Sequence, residues 1–130
     1  MSIHSDHITD HRDAMTLLYM TMVGIDGKQD VREFESARTC LMEWGMSSED
    51  IQNSLSNCQA FYAAGGSTPD ALIYVCDLIK NGVTEGSRKS VVKDLARIAY
   101  SDEDVDQSEA MLIGVIATQL EVDLNELAGN

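Results

Sequence analysis

The sequence has little proline and few aromatic residues, and this bears first on its fold class. One proline and 5% aromatic residues in 130 positions leave few of the turn signals and β-forming segments of a strand-rich sandwich. The 44% hydrophobic content and the length instead fit one soluble globular domain with a single core. Because Leu, Ala, Met and Glu are abundant, we predict an all-α fold in a single domain.

Positive charge is also scarce, and this argues against two kinds of partner. Nine Lys and Arg residues against 22 Asp and Glu residues give a formal net charge of -13. Such a protein repels phosphate backbones and anionic membrane surfaces, and it attracts cations or basic partners. We therefore expect no nucleic-acid ligand.

Membrane, export and disulfide signals are missing as well. No apolar run reaches the roughly 18 residues that span a membrane, and no signal-peptide pattern opens the chain. The cysteines Cys40, Cys58 and Cys76 form no C-x-x-C pair, and an odd number in apolar segments indicates reduced, packed thiols. We expect a cytoplasmic protein that does not span a membrane.

The motifs of common enzymes do not occur either. The sequence contains no Ser-His-Asp or Cys-His constellation, no G-x-x-x-x-G-K-S/T loop and no H-E-x-x-H motif. Its paired carboxylates stand at predicted helix starts, without the apolar lining that raises a catalytic pKa. We predict a protein that is not an enzyme.

The chain contains two copies of one acidic motif, D-x3-D-x2-E, called the acidic frame below. The first copy is D-G-K-Q-D-V-R-E over residues 26–33, and the second is D-E-D-V-D-Q-S-E over residues 102–109. Their offset of 76 residues (102 minus 26) also relates apolar positions without a gap, for example Tyr19 to Leu95 and Cys40 to Ile116. The chain is therefore predicted to be a tandem repeat. The units are placed at about 13–51 and 89–127, with linking helices at 52–88 and a flexible segment at 1–10.

Hydrophobic periodicity, caps and turn residues predict about seven helices. They are expected at 13–25, 30–44, 47–62, from 68 to the Asn81-Gly82 stop, and at 86–99, 107–120 and 124–128. The helix at 107–120 is apolar almost all round between Ala110 and Ala117. We expect it to be central and buried from several sides.

The acids of the repeated frame admit two interpretations. In each copy the second aspartate and the glutamate stand in the capping-box relation, so helix starts alone explain them. The first aspartate, four residues before the cap, is not explained in this way. A loop that delivers several carboxylates to a helix start could bind a divalent cation, calcium or magnesium. The candidate ligands are Asp26, Asp30, Glu33, Asp102, Asp106 and Glu109.

The second copy resembles the opening of an EF-hand loop, with aspartates at 102, 104 and 106. However, Gln107 stands where the loop glycine belongs, and Ile113 stands where the last glutamate belongs. The frame is therefore not an EF-hand.

Basic residues are concentrated on one predicted helix face. Lys89, Lys93 and Arg97 recur at intervals of four and so lie on the same side of a helix. This face either docks an acidic partner or anionic headgroup, or it is a solvated face that pairs with the chain's own acids.

The order of helix, acidic loop and amphipathic helix reaching W-G, repeated after intervening helices, resembles the TerB-like (tellurite resistance protein B) family over about residues 13–127. The best stretches are M-V-G-I-D-G-K-Q-D-V-R-E at 22–33 and I-A-Y-S-D-E-D-V-D-Q-S-E at 98–109. The resemblance implies a pseudo-twofold bundle of about seven helices in which the six acids bind divalent metal. It also implies a role in tellurite resistance and related stress or metal-sensing systems, often beside a membrane complex.

Two functions of different class follow from these observations. In the first, the protein is a non-enzymatic module that binds a divalent cation through its acidic loops in a stress or metal-response system. In the second, it is a helical scaffold for protein interaction whose acids only cap helices. The partner is expected to be a protein of unknown identity, and a membrane-associated complex is one candidate.

Overall fold

The computed structural model describes residues 10–24, 31–66, 68–100 and 107–125, apart from the side chains of residues 68 and 69. Within these ranges the backbone forms six α-helices and no strand. The helices are α1 (His11–Gly24), α2 (Val31–Glu43), α3 (Ser48–Ala63), α4 (Thr68–Gly82), α5 (Glu85–Ala99) and α6 (Gln107–Gln119).

The predicted all-α class is confirmed by these helices. Of the predicted seventh helix, only Leu124 and Asn125 fall within the described residues, and both are helical. The predicted flexible segment at 1–10 lies outside the described residues except for Asp10. None of the described helices combines the length and the apolar character that crossing a bilayer requires.

The central helix is α1, not the helix at 107–120. Side chains of α1 are buried on almost every side, and it packs against α2, α3, α4 and α5. In contrast, α6 packs mainly against α4 and α5 and leaves Met111 and Val115 63% and 50% exposed. The expectation of a central α6 was wrong, because apolar composition does not determine how many neighbours the topology places around a helix.

Local side-chain hydrogen bonds fix where helices begin. Ser47 Oγ accepts from the backbone N–H of Asp50 at 3.1 Å, and the Asp50 carboxylate accepts from the backbone N–H of Ser47 at 3.0 Å. This reciprocal capping box starts α3. At the start of α5, Thr84 Oγ1 accepts from the Ser87 N–H at 3.2 Å. Such caps stabilise a helix by about 0.5–2 kcal/mol each.

The helices α2 and α6 have the same length, and their bounds differ by the offset of the acidic frame. They also end in the same turn. Gly45 and Met46 donate backbone hydrogen bonds of 2.9 and 3.3 Å back into α2, and Glu121 and Val122 donate equivalent bonds of 3.2 and 2.8 Å into α6. Gly45 has φ +93° and Glu121 has φ +59°, the left-handed position of a Schellman motif. The two helices therefore repeat down to their closing hydrogen bonds.

The three cysteines are buried free thiols distributed over three helices. Cys40 lies on α2, Cys58 on α3 and Cys76 on α4. All three belong to the hydrophobic core, where a thiol packs as a small apolar group. The prediction of packed thiols without a disulfide framework is confirmed.

Candidate metal site

Two of the six predicted ligands, Glu33 and Glu109, lie in the core. Each stands in the first turn of its helix, Glu33 in α2 and Glu109 in α6, and both are 0% exposed. They occupy the same position of the repeated frame. The chain therefore buries the same carboxylate twice.

The helix face explains this burial. Along α2, the fully buried residues Glu33, Ala37, Cys40 and Leu41 recur at spacings of three and four and form one stripe. Phe34, the apolar neighbour of Glu33, is 41% exposed. The glutamate thus occupies a core position while the aromatic side chain beside it lies partly at the surface.

The same holds in the second hairpin, formed by α5 and α6, as in the first, formed by α1 and α2. Glu109, Leu112 and Ile116 form the buried stripe of α6 at spacings of three and four. Because both helices start at equivalent residues and turn the same face inwards, the two glutamates enter the core by the same geometry. Their burial is a property of the repeated unit.

The other four predicted ligands are the aspartates of the loops. Asp26 and Asp30 fall within residues 25–30, and Asp102 and Asp106 fall within residues 101–106, all outside the described residues. In the sequence, residues 25–30 stand between α1 and α2, and residues 101–106 stand between α5 and α6. Each of these segments directly precedes the helix whose first turn contains the buried glutamate.

Burial of Glu33 and Glu109 excludes the interpretation of these two groups as solvated acids. An ionised carboxylate moved out of water costs several kcal/mol unless hydrogen-bond donors or a cation compensate for it. A glutamate used only to cap a helix needs no such position, since capping sites are ordinarily at the surface. Each of the two buried glutamates therefore needs such compensation in the core.

Another buried carboxylate, Asp13, is compensated by neutral hydrogen-bond donors. Asp13 is 4% exposed, and its Oδ1 accepts from Ser54 Oγ at 2.8 Å and from Asn57 Nδ2 at 3.2 Å. Both donors lie on α3, so the three side chains join α1 to α3. This group is a structural connection.

An apolar cleft adjoins the first turn of α2. It has a volume of about 580 Å³, and the end of α1, the start of α2 and the middle of α3 form its walls. The residues lining it include Met20, Val23, Val31, Phe34, Leu55 and Tyr62. The start of α2 thus has a buried carboxyl group on one face and an accessible apolar surface on the other.

A polar network that joins the two hairpins was not predicted from the sequence. Asp94 of α5 accepts a hydrogen bond from the Tyr19 hydroxyl at 2.6 Å and one from Trp44 Nε1 at 2.8 Å. Trp44 Nε1 also donates to the Tyr19 hydroxyl at 3.2 Å. Side chains from α1, from the turn directly after α2, and from α5 therefore meet at one carboxylate.

Cys40 and Glu43 extend this network. Their ligating atoms and those of Asp94 all lie within 4.8 Å of one another, and Arg97 donates to Glu43 Oε1 at 2.8 Å. Among the described residues, this is where potential metal-binding side chains converge. The sequence signal was weak, because only the i, i+3 spacing of Cys40 and Glu43 on one helix was visible, whereas Asp94 comes from the other hairpin.

The environment of the network keeps its hydroxyl and thiol protonated. Burial, and then the adjacent Asp94 charge, raise the pKa of Tyr19 well above its ordinary value. The same two causes, in the same order, raise the pKa of Cys40 to about 12. Burial and a neighbouring negative charge both disfavour the anionic form of a side chain. At neutral pH the Tyr19 hydroxyl and the Cys40 thiol are therefore hydrogen-bond donors.

The basic face of α5 pairs largely with the chain's own acids. Arg97 contacts Glu43 on α2 at 2.8 Å, and Lys89 contacts Glu85 one turn away at 3.8 Å. Lys93 is exposed. These pairs favour the interpretation of a solvated, internally balanced face over that of a docking site.

The fold and the buried acids define a class of protein: a helical bundle in which α2 and α6 each bury a glutamate in the first turn. One family profile, described as Tellurite resistance protein TerB, matches residues 12–129. The chain therefore belongs to the TerB family. Searches of curated proteins and of solved structures gave no match.

Proposed function

We propose that this TerB protein is a non-enzymatic module that binds a divalent cation through its two acidic loops. Asp26, Asp30 and Glu33 would contribute ligands in the first copy, and the second copy would contribute Asp102, Asp106 and Glu109. The cation is calcium or magnesium, because the donors are all carboxylate oxygens. The cellular role is in a stress or metal-response system.

The observation that carries the proposal is the complete burial of Glu33 and Glu109. A bound cation compensates for the cost of a buried negative charge. The formal net charge of -13 also favours cation binding through the field of the whole protein. The proposal gives both copies of the frame the same chemistry.

Cation binding would act on the arrangement of the helices. Each acidic loop connects the end of one helix to the start of its partner, α1 to α2 and α5 to α6. Neutralising the loop removes repulsion between its carboxylates and ties it to the core through the glutamate. A ligand that binds only the folded state stabilises it by mass action. Cation concentration would thus set the stability of both hairpins.

Thermal unfolding with a chelator, and then with added calcium or magnesium, tests the proposal. The wild-type melting temperature should rise with millimolar cation. Glu33→Gln should weaken that rise, because the neutral amide removes the negative charge of one proposed ligand. Glu35→Gln is the matched control, since Glu35 lies on the same helix but is exposed. An unchanged melting temperature in wild type at millimolar cation would exclude cation binding.

The second candidate function is a scaffold for protein interaction. The apolar cleft of about 580 Å³ beside α2 favours it, because accessible apolar surface of this kind marks binding sites. On this account the acids only cap helices, so Asp26→Ala should leave stability nearly unchanged with and without cation. On the cation account, the same variant should lose part of the cation-dependent rise in melting temperature.

A further inference from the structure

The side chains of Cys40, Glu43 and Asp94 bring one sulfur and two carboxylates to a single point between α2 and α5. Cys40 and Glu43 stand one turn apart on α2, and Asp94 faces them from α5. Their ligating atoms lie within 4.8 Å of one another. We propose that these three side chains form a further metal site, for a borderline divalent cation such as zinc.

The donor set selects the class of cation. Calcium and magnesium prefer oxygen ligands only, whereas zinc accepts thiolate and carboxylate together in a tetrahedral arrangement with a water as fourth ligand. Zinc bond lengths of about 2.3 Å to sulfur and about 2.1 Å to oxygen place the ligand atoms roughly 3.5 Å apart. The three donors need to approach by about 1 Å, and the exposed Glu43 can supply much of this movement by rotating.

Hydrogen bonds already orient both carboxylates. Tyr19 and Trp44 donate to the same oxygen of Asp94, Oδ2, and Arg97 donates to Oε1 of Glu43. One oxygen of each carboxylate is therefore held in place by these donors. Outer contacts of this kind are typical of metal ligands, whose orientation they fix.

Charge balance also fits a divalent ion. With Cys40 as thiolate, the three ligands have three negative charges and the Arg97 guanidinium has one positive charge, so a divalent cation leaves the group neutral. Metal binding displaces the thiol proton, which makes binding stronger as pH rises. The side chains of Glu43 and Arg97 are 54% and 49% exposed, so the ion reaches the site from solvent.

A cadmium titration followed by ultraviolet absorption tests the proposal, because a cadmium–thiolate bond gives a charge-transfer band that carboxylate ligands do not. Wild-type protein should develop this band with one equivalent of cadmium, and Cys40→Ser should not. Cys58→Ser and Cys76→Ser are matched controls, since both thiols are also buried, and both variants should keep the band. Glu33→Gln should keep it as well, which separates this site from the acidic loops.

Two surface variants distinguish a metal site from a purely structural network. Glu43→Gln should weaken cadmium binding by about tenfold or more through loss of a ligand. Arg97→Gln should change it less than Glu43→Gln does, since the loss of the contact that orients Glu43 offsets the removal of the positive charge beside the ion. Circular dichroism checks that each variant is folded. Absence of the band in folded wild-type protein, its persistence in Cys40→Ser, or unchanged affinity in both surface variants would overturn the proposal.

Discussion

The first hairpin, α1 and α2, and the second hairpin, α5 and α6, use the same backbone plan but different side chains where they meet. Both bury a glutamate in the first turn of the second helix, and both close that helix with a left-handed residue. However, Tyr19 and Trp44 of the first hairpin are polar aromatic residues whose counterparts, Leu95 and Leu120, are fully buried and apolar. The two hairpins therefore share the features that act within a single helix, namely the buried first-turn glutamate and the left-handed closing residue.

The difference between the hairpins lies in how they hold each other. Tyr19 and Trp44 both donate to Asp94, so the donors of the first hairpin are satisfied by an acceptor of the second. An apolar residue at either position would remove a donor and leave the carboxylate poorly compensated. Asymmetry at these positions therefore joins the two copies into one core.

The largest expected effect comes from removing this shared acceptor. Asp94→Ala should destabilise the protein by about 2–4 kcal/mol, because it leaves the buried Tyr19 hydroxyl and the Trp44 indole N–H without their carboxylate acceptor. Chemical denaturation measures the change. Asp94→Asn keeps a side-chain oxygen and should lose less than half as much. Equal losses for the two variants would show that the hydrogen bonds do not join the hairpins.

The next effect concerns pH, since Cys40 of the first hairpin corresponds to Ile116 of the second. Burial, followed by the Asp94 charge, raises the pKa of Cys40 from 9.0 to about 12. The thiol therefore stays protonated in the folded state while it ionises in the unfolded state. Its contribution is complete below about pH 9 and is lost as pH rises towards 12, by about 1.4 kcal/mol per pH unit.

Denaturation at pH 8, 9 and 10 measures this loss. The free energy of unfolding should fall less steeply with pH in Cys40→Ala than in wild type, because the variant lacks the contribution of this thiol. Cys58 and Cys76 have pKa values raised to about 12 in the same direction, so they continue to contribute to both proteins. Parallel pH profiles for wild type and Cys40→Ala would contradict the raised pKa of Cys40.

A smaller effect is expected at the closing turns, where the hairpins differ by one residue type. Gly45→Ala should destabilise by about 1 kcal/mol, because alanine resists positive φ. A Cβ at Gly45 would meet no atom within 4 Å, so backbone strain alone is tested. Glu121→Gly should stabilise by less than about 1 kcal/mol, since the relief of strain is partly offset by the freer unfolded chain. If Gly45→Ala and Glu121→Gly shift the melting temperature in the same direction, the two turns are not equivalent.

The smallest effect is expected on the basic face of α5, which has no counterpart on α1. The Lys89 and Glu85 side chains lie 3.8 Å apart and are partly or largely exposed. Lys89→Gln should change stability by less than about 0.5 kcal/mol, because water and salt screen such a pair. Denaturation at low and high salt measures it. A loss of more than about 1 kcal/mol would assign this face a structural role.

Sequence patterns located the repeated elements because local chemistry determines them. The Gly45 stop of α2, the Ser47 start of α3 and the equivalent bounds of α6 follow from caps, glycine and periodicity. The burial of Glu33 did not follow, since a hydrophobicity pattern assigns a glutamate to the solvent side.

Contacts between distant parts of the chain could not be predicted from these sequence patterns. Asp94 had no visible partner in the sequence, because its hydrogen bond to Tyr19 joins residues 75 positions apart. The centrality of α1 was missed for the same reason. Both α1 and α6 are rich in apolar residues, and the packing of the whole chain decides which one is surrounded.

Calorimetric titration of calcium and magnesium into chelator-treated protein shows whether the buried glutamates hold a cation. Wild type and the exposed control Glu35→Gln should both bind. A folded variant that combines Glu33→Gln with Glu109→Gln should bind much more weakly, because each buried carboxylate supplies charge to its own copy of the frame. Equal binding heats and affinities in wild type and the double variant would contradict the claim that the buried glutamates hold the cation.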